Sequence, residues 1–181
     1  MKALDASAPP DRNDIVGKIA GRLSNVDAFG TGPLAELRRL DPAGALAEPA
    51  LQRLFAKHVP EAWLRDDGVR RWGVLIHAMA LAAPDRLRPT ERFGAALYNS
   101  GLKERRFVNL LDAGGDDLLD VVPRAVRFLV ARGGALNAFA LADLIFTADR
   151  GEAGERVRRK IASDYYRAEA RVEIDSQGTR A

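Results

Sequence analysis

Apolar residues recur along this chain at helical intervals, and the alternation expected of strands never persists beyond a few residues. Ile15, Ile19, Leu23 and Val26 form the first stripe, at i, i+4, i+8 and i+11, with Asn13 or Asp14 placed to cap it. Gly30-Thr31-Gly32-Pro33 breaks the chain, and Pro33 suits the first turn of a short helix over residues 33–40. Leu34, Leu37 and Leu40 share one face of that helix, with Arg38 and Arg39 turned largely away. A further helix over 48–58 places Leu51, Leu54 and Phe55 inward and is interrupted by Pro60, after which Trp63 packs in the following turn. Asp66 or Asp67 then caps the most apolar segment, Val69 to about Ala83, whose Trp72, Leu75, Ile76, Met79 and Leu81 predict a buried central helix.

Residues 83–90 carry two prolines in a polar setting, and the boundary between the two halves of the chain is placed there. Thr90 caps a helix that runs to Asn99-Ser100-Gly101. Gly101 can take the left-handed conformation that closes a helix, and Gly94, Ala95 and Ala96 let another backbone approach the preceding run. Phe107, Leu110 and Leu111 mark the next helix. Another starts at Asp116 or Asp117 and extends to Arg132, with Leu118, Val122, Val126 and Leu129 on its core face and Pro123 either kinking it or marking its start. Gly133-Gly134 stops it. Helices over 138–148 and from about Glu152 to Arg171 complete the pattern. The expected architecture is all-α, with about nine helices: a flexible arm (1–12), an N-terminal helical domain (13–83), a linker (84–90), a C-terminal bundle (91–171) and a frayed tail (172–181).

At 181 residues the chain is long enough to bury a real core. No run approaches the roughly 18 uncharged apolar residues of a membrane span. The first 14 residues lack the apolar core of a secretion signal, so the expected compartment is the cytoplasm and no membrane partner is expected. The absence of cysteine excludes disulfides, thiol catalysis and thiolate metal sites. His58 and His77 fall on different helices without partner spacing and read as packing or surface residues. Asp112, Asp116, Asp117 and Asp120 do not have the spacing of a calcium loop, and capping and turn chemistry accounts for them more simply. Gly30-x-Gly32 lacks the strand and third glycine of a dinucleotide site, and Gly17-x-x-x-Gly21 reads as close helix packing. With no nucleophile–base set or carboxylate pair, the chain is expected to be no enzyme and to need no cofactor or metal.

The arginines change the picture more than the net charge of +3 does. They come in pairs: Arg38-Arg39, Arg70-Arg71, Arg105-Arg106, Arg124 with Arg127, and Arg158-Arg159 followed by Lys160. Arg156, Lys160, Arg167 and Arg171 fall on one face of the last helix. Arg105 and Arg106 open a helix, where the dipole favours acids, which suggests that they serve something outside it. Guanidinium forks suit phosphate oxygens, whereas Glu104, Glu152, Glu155 and Asp164 offer the alternative of a solvated face with carboxylate partners. No aromatic series lines up with the arginines, so base stacking along them is not expected.

Gly94, Ala96, Leu97, Asn99-Ser100-Gly101, Glu104-Arg105-Arg106 and Leu110 resemble the CasB family, the small subunit of the type I-E CRISPR surveillance complex Cascade. The resemblance extends upstream to Gly32-Pro33-Leu34-Ala35-x-Leu37-Arg38-Arg39. Downstream it takes in Arg124-x-x-Arg127-x-Leu129 and Asp164-Tyr165-Tyr166, covering most of residues 30–168. It implies a noncatalytic all-α subunit, paired with a second copy of itself among other Cascade subunits. Such a subunit contacts the backbone of the crRNA–target DNA assembly and helps hold the displaced single DNA strand. Carried over by position, Arg39, Arg106 and Arg127 are the first expected contacts, with Arg38, Arg105, Arg124, Arg158 and Arg159 next; Arg70-Arg71 lie outside the motifs. The alternative is a helical protein–protein adaptor that uses the Gly94–Ala96 face and the last helix and touches no nucleic acid.

Overall fold

The computed structural model describes residues 11–178. Most of the expected N-terminal arm and the last three residues of the expected tail lie outside them. Within the described residues the chain is all-α. The helices are α1 (Arg12–Ser24), α2 (Val26–Phe29), α3 (Thr31–Arg38), α4 (Pro49–His58), a 3-10 turn (Glu61–Leu64), α5 (Gly68–Ala82), α6 (Phe93–Asn99), α7 (Glu104–Asp112), α8 (Gly115–Ala131), α9 (Ala138–Thr147) and α10 (Glu152–Gly178). None of them is long and apolar enough to cross a membrane.

Local chemistry explains where these elements begin and end, and in several places it departs from the expectation: α3 already starts at Thr31, Arg92 and not Thr90 precedes α6, and α8 starts at Gly115, ahead of Asp116. Asp11, not Asn13 or Asp14, caps α1: its carboxylate accepts from the Asn13 amide, which leaves Asp14 inside the first turn, where the dipole favours it. Pro123 sits well inside α8, which is assigned without a break from Gly115 to Ala131, so the proline does not mark the start. The last helix continues to Gly178 instead of ending at Arg171, because no proline or glycine occurs between Gly154 and that position. Gly101, at φ +83°, closes the turn after α6 in the left-handed conformation.

The central position of α5 follows from its composition: from Trp72 to Ala80 its side chains are buried without a break. Around it pack α8, α3, α9 and α1. One apolar cluster runs from Ile15 through α5 to Tyr165. Residues 83–92 are tied to the start of α9. Leu136 donates to the Arg86 carbonyl (2.7 Å) and accepts from the Arg88 amide (2.9 Å), while the Asn137 amide group donates to the carbonyls of Pro89 (2.7 Å) and Glu91 (2.8 Å).

The small residues of α6 receive α10. A methyl group at Gly94 would lie 2.0 Å from the Ile161 carbonyl oxygen, so the two backbones touch. Just beyond the crossing, Tyr165 stacks on Phe107 (3.9 Å between centroids) and donates its hydroxyl to the Leu102 carbonyl (2.7 Å). Ala96 is buried in the same region. The face expected of an adaptor, from Gly94 to Ala96, is therefore largely occupied by the chain's own last helix.

Candidate nucleic-acid interface

Three of the expected contact residues converge. Arg39 caps the C-terminus of α3, while Arg124 and Arg127 stand one turn apart on α8. Together they line a groove of about 470 Å³ whose floor includes Leu40, Pro42, Leu119 and Pro123. Two carboxylates also line it, Asp120 drawn to Arg70 and Asp41 exposed at the groove itself. Asp41 accepts from the Ala43 amide (3.1 Å), and Asp120 accepts from Arg70 (2.8 Å). Among the described residues no carboxylate forms an ion pair with Arg39, Arg124 or Arg127. Three cations thus share the groove with two carboxylates that do not pair with them.

Beneath the groove lies His77, fully buried on α5. Its Nε2 sits 3.1 Å from an Arg127 guanidinium nitrogen, and its Nδ1 lies 2.8 Å from the Leu37 carbonyl. A guanidinium only donates, so Nε2 must accept; the ring proton is therefore on Nδ1 and is given to Leu37. One neutral imidazole thereby joins α3, two residues before Arg39, to the Arg127 side chain on α8. Burial holds the imidazole pKa below its ordinary 6.5; the Leu37 bond pulls upward, the Arg127 charge downward, and Asp41 upward.

A pH dependence follows. The unfolded chain takes up the histidine proton as pH falls below about 6.5, whereas the folded chain resists until its lower value is reached. The neutral, bonded imidazole thus contributes fully above the unfolded value, and stability falls as pH drops toward the folded one. Urea midpoints at about pH 5 and pH 7.5 should differ more in the natural chain than in His77→Gln. An identical pH dependence in the two would contradict the neutral imidazole.

The remaining arginines divide by their partners. Arg38 donates to the carbonyls of Ala80 (2.9 Å) and Ala83 (2.5 Å), placing a cation at the C-terminal end of α5, where the helix dipole favours it. Arg158 does the same for two helices, reaching Leu111 (2.7 Å), Ala113 (3.1 Å) and Ala148 (2.9 Å) at the ends of α7 and α9. Arg105 and Arg106 are exposed on the first turn of α7, with no side-chain partner among the described residues and outside the lining of the arginine groove. Arg159 is exposed on α10, reaching only the Glu155 carbonyl one turn back (3.4 Å). Arg70 pairs with Asp116 and Asp120, and Arg71 with Asp67 and Asp149, so both brace the start of α5. These pairs also account for Asp116 and Asp120. Among the described residues no group of three His, Asp or Glu is placed to hold a metal ion.

Sequence reasoning missed the role of His77. Its bonding partners lie 40 and 50 residues away, on other helices, and no spacing along its own helix points to them.

The family model for CRISPR-associated protein Cse2 matches residues 33–166. The crystal structure of CasB from Thermobifida fusca is similar, with a TM-score of 0.57 at 20% identity, over 84% of this chain and 94% of that chain. At that identity the similarity is one of fold. No curated protein matches the chain.

Proposed function

The chain belongs to the CRISPR-associated Cse2 family, and from that premise we propose that it is the noncatalytic small subunit of a type I-E Cascade complex, acting in the cytoplasm. In this role it binds the nucleic-acid backbone and stabilises the R-loop, including the displaced DNA strand, beside a second copy of itself. The observation that carries this reading is the convergence of Arg39, Arg124 and Arg127 on one groove, none of them ion-paired with a carboxylate among the described residues. Guanidiniums in that state suit phosphate oxygens, contacts that position a strand without reading its sequence. Little more is needed, because base pairing between guide and target carries sequence and R-loop formation is nearly balanced in energy. A few phosphate contacts can tip that balance.

Arg105, Arg106 and Arg159, exposed and outside the groove lining, are proposed as further contacts, whereas Arg38 and Arg158 are assigned to holding helix ends. The adaptor reading has less support, since Gly94 and Ala96 are buried within the chain.

The test is target binding by the assembled complex at several salt concentrations. Arg106→Ala should lower the slope of log affinity against log salt by about 0.7 to 0.9, equally for unrelated target sequences, with circular dichroism unchanged. Arg158→Ala should instead reduce thermal stability, because it frees three carbonyls at helix ends. A salt slope indifferent to Arg39, Arg106 and Arg127 alike would refute the proposed backbone contacts.

A further inference from the structure

A second cavity, of about 460 Å³, lies apart from the arginine groove, between the starts of α1 and α5, the 3-10 turn and the end of α9. Its walls are aromatic and charged, with Asp67 and Asp149 both paired to Arg71 within the lining. Trp63 stacks on Trp72 with centroids 6.2 Å apart and planes 14° from parallel, and Phe146 leans on Trp72 at 5.0 Å. Two more arginines line it, Arg65 and Arg150, both exposed and without a side-chain partner among the described residues.

The same lining holds two buried donors that lack acceptors. Trp72 is fully buried, and its indole N–H has no hydrogen-bond partner; the Arg12 Nε is likewise buried and unpartnered. Nearly all buried polar groups in folded proteins are paired, so two orphans on one cavity are informative. Both are donors, so a ligand that brings an acceptor satisfies them where a purely apolar one does not. A flat ring carrying an anionic group matches all of these features: the half-buried Trp63 offers an aromatic surface, and the unpaired guanidiniums offer forks for phosphate oxygens. The volume falls in the range of small-molecule sites.

We propose that this cavity binds one nucleotide, free or as a unit of a single strand, with its base against Trp63 and its phosphate held by Arg65 and Arg150. The site shares no lining residue with the arginine groove, so the two succeed or fail separately.

The chain itself supplies the reporter, because its only two tryptophans are Trp63 and Trp72. The full-length chain is titrated with a mononucleotide, a tetranucleotide and inorganic phosphate while the two indole N–H resonances are followed by NMR. Both should shift saturably with nucleotide, the Trp72 resonance moving downfield as its donor gains an acceptor. Equal affinity for the two nucleotides identifies a free nucleotide as ligand, and tighter binding of the tetranucleotide identifies a strand. Arg65→Ala with Arg150→Ala should weaken binding about tenfold or more. Arg39→Ala with Arg124→Ala and Arg127→Ala should leave the mononucleotide titration unchanged. Indole resonances that do not move at saturating nucleotide overturn the proposal. So do shifts that inorganic phosphate alone reproduces, or shifts that survive loss of Arg65 and Arg150.

Discussion

Replacing Arg39, Arg124 and Arg127 together with alanine should lower the slope of log affinity against log salt by about 2 to 3, because each phosphate contact releases about 0.7 to 0.9 counterions. At roughly 0.1 M salt this corresponds to about a hundred- to a thousandfold loss of binding, fading as salt approaches about 1 M. The loss should be the same for unrelated target sequences, since phosphates carry no sequence information. Folding should change much less. Arg39 and Arg124 are exposed and without an ion-pair partner among the described residues, and Arg127 leaves a buried acceptor behind, the His77 Nε2, worth about 1 kcal/mol. The measurement is target binding by the assembled complex over a salt series, with thermal melts of each variant. An unchanged slope in the triple variant would sink the groove as a phosphate site.

Gly94→Ala carries the largest expected effect on stability. Helix propensity alone predicts a gain of about 1 kcal/mol, because alanine is the better helix former. Packing predicts the opposite, and its magnitude decides. The new methyl would lie 2.0 Å from the Ile161 carbonyl oxygen and 2.9 Å from the Tyr165 amide nitrogen. Both are backbone atoms, so no rotamer change relieves the overlap. The last helix must instead lift from α6, loosening the Tyr165–Phe107 stack and the hydroxyl bond to Leu102. A loss on the order of 3 kcal/mol or more is expected, lowering Tm by about 10 °C. Calorimetry of the two proteins decides between the signs, and a Tm at or above the natural value would contradict the close crossing.

Much of the fold was legible because each helix buries one stripe of a 3.6-residue period. Val69 to Ala83 announced a central helix by the length of its apolar run, and Asn99-Ser100-Gly101 announced a turn by its residue types. The closeness of α6 to another backbone was readable in Gly94, but which helix approaches was not, since Ile161 lies far along the chain. Helix ends were harder. Asp11, Asn13 and Asp14 are all competent caps, and only the backbone path selects among them.

The site was legible in part for a related reason. Charge pairs are visible in a sequence, but adjacent residues on a helix point about 100° apart. Arg38 therefore reaches α5 carbonyls while its neighbour Arg39 faces the groove, and Arg158 is similarly committed while Arg159 is exposed. Arg124 ranked behind Arg106 on sequence grounds, yet the structure sets it beside Arg127, one turn away on α8. The aromatic cavity escaped notice because Trp63, Trp72 and Phe146 read individually as core residues.

The imidazole bridge has a consequence in time as well as in space. Leu37 and Arg127, which His77 joins, belong to segments made far apart during synthesis. While α8 is still unmade or undocked, Arg39 has no opposing wall and Arg127 no seat. The three-cation groove is thus complete only once α8 has docked against α3 and α5.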